Sequence, residues 1–408
     1  MTEYIKNNVK RVISKAPGKI ILIGEHAVVY GYPAILGAVN MFATATILPD
    51  TKIKISLPRL KSKSEYSWKE IFLFCKEVCV SDKKTIIGKG NERVLSKLNN
   101  AEGLKSGLKT KGSMKKDLNQ QDVAKIQLCN VDPTVKPTDN NLNKGFDILI
   151  KLALFETVRF FNLSNVPGMF LEVISDVPTG GFGSSTAVAA SVIKAFSEYL
   201  GKNLNKNNLL EILINTEKNF YDVSGADQTV VAFGGLIKFR RDVSERLKAG
   251  ALNSHTVELR IKSDLLKKCL VIDSGKPVVT TGEVVEMVRK ARSNKPEAIS
   301  KIFAKLEYLT YEMSDALRNS SKEKFFKIID EAGDLLIKLG IVTKETQSLI
   351  HQLKKLSAHV KVSGAGSLGK SFGGSGSLLC FAENYSVIEK FLDKAGFKYY
   401  FVDIGIEI

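Results

Sequence analysis

No run of about 18 or more apolar residues occurs in the chain, so a membrane-spanning helix is not expected. The longest apolar neighbourhood, IILIGEHAVVYGYPAILGAV, is broken by Glu25, His26 and three glycines. The opening MTEYIKNNVKRVISKAP lacks the unbroken apolar core of a secretory leader, and the closing GIEI matches no peroxisomal or prenylation signal. The expected compartment is the cytoplasm. Paired cysteines are missing as well: the five (Cys75, Cys79, Cys129, Cys269, Cys380) are scattered and odd in number. Cys75 and Cys79 are spaced to share a helix face, but no histidine or second cysteine pair stands near them, so reduced thiols are expected rather than a metal site. No internal repeat of fixed period is found.

What is present is ordinary in bulk and unusual in charge. The 408 residues are enough for two domains with separate cores, and 44% hydrophobic with 25% charged residues is the composition of a soluble globular protein. A net charge of +17 admits nucleic acid, an anionic surface or acidic small molecules as partners. Much of it is spread as lysine over helical segments. One segment concentrates it, KGNERVLSKLNNAEGLKSGLKTKGSMKKDLNQQDVAK, within an insertion over residues 88–126 that has few large apolar residues and no sustained period. Single-strand nucleic-acid sites interleave aromatics with basic residues, and this segment has none. A solvated insertion is expected; nucleic-acid or membrane binding is not.

Apolar periodicity gives the organisation. RVISKAPGKIILIGEHAVVYG reads as strand, glycine turn, strand and compact turn, and ATATILPDTKIKISLP as a hairpin. DILIKLALFETVRFFNL has helical spacing, GMFLEVISDVP reads as a strand, and TGGFGSSTAVAASVIKAFSEYL as a glycine loop opening into a helix. NLLEILINTEKNF is a further helix and GGLIKF a strand. Beyond it come strand CLVIDSG, helices from TGEVVEMVRKARS to SLIHQLKKLS, then HVKVSGAGSLG, SLLCFA, helix SVIEKFLDKAGF and strand YYFVDIGI. This non-alternating order predicts an α+β protein in two lobes, residues 1–238 and 239–408.

Four places carry chemistry. In TGGFGSS, Gly180, Gly181 and Gly183 let backbone N–H groups converge, and the following helix aims its positive end at the same point. Ser184 and Ser185 add hydroxyls for phosphate or Mg²⁺; a serine-capped glycine turn is the plainer alternative. Lys19 stands among apolar residues of a strand, where it either reaches the surface or serves a site. Glu25 and His26 form a rare polar pair in an apolar stretch, with structural pairing and substrate contact both open. Asp227, after a Ser-Gly turn and ahead of a strand, and Glu217, on the preceding helix, are the acids that could serve a magnesium nucleotide. A further loop, SGAGSLGKSFGGSGS, fits both a Walker A spacing (Gly364, Gly369, Lys370, Ser371) and a dinucleotide spacing (Gly364, Gly366, Gly369). Both templates need a helix after the loop, whereas the residues after Lys370 are glycine-rich and then strand-like. Neither reading is adopted.

KAPGKIILIGEHAVVYGYPAIL, PTGGFGSSTAVAAS and KVSGAGSLG fall in the order and spacing of the three motifs of the GHMP small-molecule kinases, which the chain resembles over most of its length. GEHAVVYG and KIKISLP resemble the mevalonate-phosphorylating branch more than phosphomevalonate- or sugar-phosphorylating members, which are the same-fold alternative, and DSGKPVVTTGEVV is similar to that branch as well. The resemblance implies a two-lobed fold with the active site in the cleft between lobes, and ATP-dependent phosphorylation in isoprenoid and sterol precursor synthesis. It implies Asp227 as base beside Lys19, and ATP held by Pro178, Gly180, Gly181, Gly183, Ser184, Ser185 and Thr186. Mg²⁺ would be held by Ser185 and Glu217. The acceptor would meet Glu25, His26 and Thr281, with Gly364, Ala365 and Gly366 closing over phosphates and substrate. A homodimer, and prenyl diphosphates competing at the ATP site, are implied likewise. A catalytically weak relative that binds ligand as a regulator is the alternative of another class. The sequence departs from the family in three places: FYDVSGAD is one residue short before Asp227, Phe182 stands where a smaller aliphatic is usual, and the last loop is longer, with Ser367 and Leu368 in place of glycines.

Overall fold

A computed structural model of the chain describes residues 11–81, 139–220, 223–242 and 254–408. The lysine-rich insertion, Cys129, and Tyr221 and Asp222 before the Asp227 turn lie outside the described residues. In chain order the strands are β1 (Val12–Ile23), β2 (Ala34–Pro49), β3 (Ile53–Leu57), β4 (Ser62–Tyr66), β5 (Met169–Ser175), β6 (Leu236–Arg241), β7 (Ser254–Glu258), β8 (Cys269–Asp273), β9 (His359–Ser363), β10 (Ser377–Phe381) and β11 (Tyr399–Val402). The helices are α1 (Trp68–Ser81), α2 (Asp139–Phe160), α3 (Ser184–Tyr199), α4 (Lys206–Glu217), α5 (Ala226–Phe233), α6 (Thr281–Asn294), α7 (Pro296–Arg318), α8 (Lys322–Leu339), α9 (Lys344–Lys355) and α10 (Ser386–Ala395). The class is α+β. No described helix is long and apolar enough to cross a membrane.

Two compact units interleave along the chain: Met1–Ser14, Thr44–Ile174 and Ser191–Tyr221 form one, and Lys15–Ala43, Ser175–Ala190 and Asp222–Ile408 the other. In the first, β3 pairs antiparallel with β4 and parallel with β5, and β5 lies between β3 and β2. The expected β2–β3 hairpin is therefore absent, although both strands form. Alternation reports which residues face a core and is silent about which strand lies alongside. Every residue of helix α2 from Leu149 to Val158 is buried, so this stretch is enclosed on all faces, as a helix in the middle of a core is. Lys151 on that helix bonds Asp147 Oδ2 at 2.8 Å and lies over the Tyr66 ring, so one buried charge is both paired and capped by an aromatic face.

In the second unit β2 pairs antiparallel with β6, and β6 with β7. A four-stranded antiparallel sheet follows the order β11-β8-β10-β9. Helix α8 packs on β9 and buries Phe325, Ile329, Ala332 and Leu336, with Phe325 meeting Phe381 of β10 edge to face at 4.9 Å. Left-handed Gly340 ends that helix, as its position after the last apolar turn dictates.

β1 is one continuous strand through Pro17 and Gly18, where a glycine turn was expected. Among the described residues it pairs with β2 alone, and an edge position tolerates a proline that has no N–H to donate. The compact turn after it is a 3-10 turn over Ala27–Tyr30. Asp227, expected in a turn ahead of a strand, stands instead in the first turn of α5. The described cysteine thiols of Cys75, Cys269 and Cys380 are buried and unbridged.

Candidate active site

Lys19 is where the site begins. Its side chain is 5% exposed on β1, and Nζ lies 3.0 Å from Asp227 Oδ2, a carboxylate 34% exposed. The difference in exposure matters: the lysine is the buried, fixed member, and the aspartate is the one an incoming ligand can reach. Asp227 occupies the first turn of α5, whose positive end favours an anion there. The surface alternative for Lys19 fails because burial without a partner would be prohibitive and the partner is present.

The glycine loop lies against the same lysine. The Lys19 N–H donates to the Phe182 carbonyl at 2.8 Å, and the loop opens into α3 at Ser184. Gly183 has φ +66°, and a Cβ there would sit 2.8 Å from Lys19 Cγ. A Cβ on Gly180 (φ +92°) would meet nothing within 4 Å, so open space lies beside the loop at this residue. Ser184 Oγ donates to the Val177 carbonyl at 3.3 Å. Ser185, also buried, has no such commitment among the described residues and is the freer hydroxyl of the pair. Thr186 is buried one residue further along the helix, and Pro178 is half-buried at the loop's entry. These features fit a phosphate-bearing ligand: open space, unhindered backbone, a hydroxyl and a helix start. Phe182, the unusual residue of this loop, is turned inward, 2% exposed and edge-on to Tyr400 at 6.3 Å.

The last glycine loop closes the group from the other side. It joins β9 to β10 and is followed by a strand, so the Walker A and dinucleotide readings have no helix to act through. A Cβ on Gly364 would lie 3.2 Å from Gly181 Cα, and Ser377 Oγ donates to the Gly180 carbonyl, so the two loops are in contact. The extra residues turn away. Ser367 N–H bonds the Ile341 carbonyl at 2.9 Å, Gly369 N–H the Gly340 carbonyl at 2.8 Å, and Thr343 Oγ1 the Gly373 carbonyl at 2.7 Å. Lys370 at the far bend is exposed.

Glu25 and His26 do not pair with each other. The His26 ring bonds the Ala365 carbonyl through Nε2 at 2.8 Å. A carbonyl only accepts, so Nε2 carries the proton, and burial holds the imidazole below its ordinary pKa and neutral. Glu25 is fully buried and forms an ion pair with Lys361, a residue that sequence reasoning passed over. The overlooked signal was a lone lysine between Val360 and Val362, the same kind of signal as Lys19 among isoleucines. Glu25 Oε2 has no hydrogen-bonding partner among the described residues.

Two further residues singled out in the sequence stand elsewhere along the chain. Glu217 is fully buried at the end of α4, in the first compact unit. Thr281 is an exposed residue in the first turn of α6, behind a capping box made by Thr280 and Glu283. Among the described residues no three His, Cys, Asp or Glu side chains cluster to hold a metal.

Residues 149–235 match the model of the GHMP kinases N terminal domain, the stretch that includes the glycine loop and Asp227. The chain is similar to the GHMP kinases in sequence motif and in fold. Among its relatives, mevalonate kinase of Pyrococcus furiosus is 27% identical over 387 residues, covering 92% of this chain and 90% of that one. The crystal structure of Methanococcus jannaschii mevalonate kinase superposes with a TM-score of 0.65 at 20% identity, covering 98% of this chain and 99% of the other. That of L. major mevalonate kinase in complex with R-mevalonate gives 0.64 at 16% identity, over 97% and 95%.

Proposed function

We propose that the chain is a mevalonate kinase, transferring the γ-phosphoryl group of ATP to the primary hydroxyl of mevalonate and yielding 5-phosphomevalonate. The observation that carries this reading is the Lys19–Asp227 pair at 3.0 Å beside an open glycine loop, in a chain whose relatives along nine-tenths of its length are mevalonate kinases. Asp227 accepts the hydroxyl proton as the oxygen attacks, because an alcohol is a weak nucleophile near neutral pH. Lys19 keeps its ammonium beside the developing alkoxide and the transferring group. The new O–P bond forms as the bond between the γ-phosphorus and the β,γ-bridging oxygen breaks, and ADP leaves. Bound Mg²⁺ supplies charge screening to the phosphates, and Ser185 is the residue of the second unit suited to hold it. Backbone N–H groups of Gly180–Gly183 receive phosphate oxygens. Loop Gly364–Gly366, anchored by His26, excludes water above the reacting groups. The soluble cytoplasm is the setting this assigns.

The test is ATP-dependent ADP release with Mg²⁺, offering mevalonate, phosphomevalonate, galactose and homoserine in parallel, with Asp227→Ala beside the wild type. Release with mevalonate alone, lost in the variant, is expected. Release with another acceptor would keep the fold and overturn the substrate. Nucleotide binding without turnover of any of the four would favour a ligand-binding regulator.

A further inference from the structure

Lys361 opens the KVSGAGSLG motif without a role assigned above, yet its side chain is wholly buried and so is that of its partner Glu25. Its ammonium donates to Glu25 Oε1, to the Val362 carbonyl at 2.8 Å and to the Ile21 carbonyl at 3.4 Å. Two residues along the same face of β9, Ser363 Oγ donates to the Ile21 carbonyl at 3.0 Å and accepts from the Ile21 N–H at 3.2 Å. His26 then bonds Ala365. Three contacts, Ile21 with Ser363, Glu25 with Lys361 and His26 with Ala365, thus tie the end of the strand bearing Lys19 and the turn after it to the strand that launches the closing loop. A Cβ on Gly333 of α8 would come within 2.8 Å of the Val360 carbonyl and 3.3 Å of Lys361 Cβ, so α8 packs closely on β9 at this residue.

A fully buried ion pair is a poor device for stability, because desolvation of both charges offsets their attraction, and an apolar pair of similar volume is commonly as stable. Its use must be sought in what the charges do. Burial pushes the Glu25 carboxyl up and the Lys361 ammonium down, each opposed by the charge of the other, and the Lys19 charge acts on Glu25 in the same sense as Lys361. The elements around the pair add nothing else: Asp330 and Asp334 of α8 are ion-paired with Lys354 of α9, Asp330 also with His359 of β9, and β10 brings the buried thiol of Cys380. Glu25 is therefore a second acid within the field of Lys19, and Lys361 is what neutralises it.

We propose that Lys361 is a positioning residue for phosphoryl transfer: by occupying Glu25 it keeps the Lys19 ammonium committed to Asp227 and the transferred phosphoryl, and it holds the closing loop in register with β1. The kinetic part rests on the kinase reading; the burial of the pair does not.

Lys361→Met, Glu25→Gln and the double variant separate the possibilities. On ligand-free protein, melting temperature is followed from pH 6 to 8. The pair carries one proton in the folded protein whether it is written as ions or as neutral partners, and the unfolded chain also carries one, so the wild type gains no slope from it. With Lys361 removed, burial keeps Glu25 protonated when folded, although the unfolded carboxyl has lost its proton, so stability falls as pH rises. With Glu25 removed, Lys361 is neutral when folded and charged when unfolded, so stability rises with pH. Opposite tilts relative to wild type, cancelling in the double variant, are expected. Equal slopes in all four proteins would overturn the pair as a unit. In ADP release, Lys361→Met is expected to lower kcat at least about tenfold with the KM for ATP little changed, and removal of the Glu25 charge in the double variant to recover most of that kcat. A Lys361→Met protein that folds and keeps wild-type kcat would overturn the positioning role. If wild type itself released no ADP with any acceptor, the kinase reading would fall while the opposed tilts would still decide the pair.

Discussion

Gly183→Ala is the perturbation that tests how the glycine loop and Lys19 depend on each other. The residue has φ +66°, a left-handed conformation that costs an L-residue about 1–2 kcal/mol. The new Cβ would lie 2.8 Å from Lys19 Cγ and 3.0 Å from Cε, whereas ordinary contact begins at 3.4 Å, so one or the other must move by 0.6 Å. Cγ is the second carbon of a side chain rooted in β1 and cannot swing aside as the ammonium could. The displacement therefore passes to Nζ, now 3.0 Å from Asp227. A misplacement of about 1 Å near the chemistry costs roughly 100-fold in rate, so a shift of this size should lower kcat by about 10- to 100-fold. Gly180→Ala is the control: its φ of +92° imposes backbone strain too, but its Cβ enters open space. It should raise the KM for ATP with kcat largely kept. Both variants are read by steady-state ADP release and thermal melting. A Gly183→Ala protein that melts with the wild type and keeps kcat within about twofold would refute the coupling, since strain and contact were each required to act.

Three further outcomes follow from neighbouring contacts. Phe182→Ala removes a side chain 2% exposed beneath the loop and should lower stability by about 3–5 kcal/mol, seen in urea unfolding, with Phe182→Leu recovering much of it. His26 has its pKa lowered by burial, so it binds fewer protons folded than unfolded. Stability should therefore fall as pH drops below about 6.5, and His26→Gln should flatten that part of the melting profile. Lys370→Ala should leave kcat and the KM for ATP unchanged, because the residue is exposed beyond the docked loop; a large rise in KM would revive the Walker reading.

The sequence determined those features that depend on neighbours along the chain. Helical spacing in the long helices of the second unit, alternation in the strands, and a glycine loop opening into a helix were all legible, because a side chain's face follows from a local period. Lys19 and Asp227 could be picked out as unusual residues in their settings. Tertiary structure decided which distant partners they met. Alternation could not reveal that β5 separates β2 from β3, nor that β1 runs unbroken through Pro17 as an edge strand. It could not tell a surface lysine from one held by an aspartate. Least visible was the partner of Glu25, which stands 336 residues away on β9. Hydrophobic pattern fixes what is buried, but a buried charge is tolerable only beside its counter-charge, and that pairing exists only once the chain has folded.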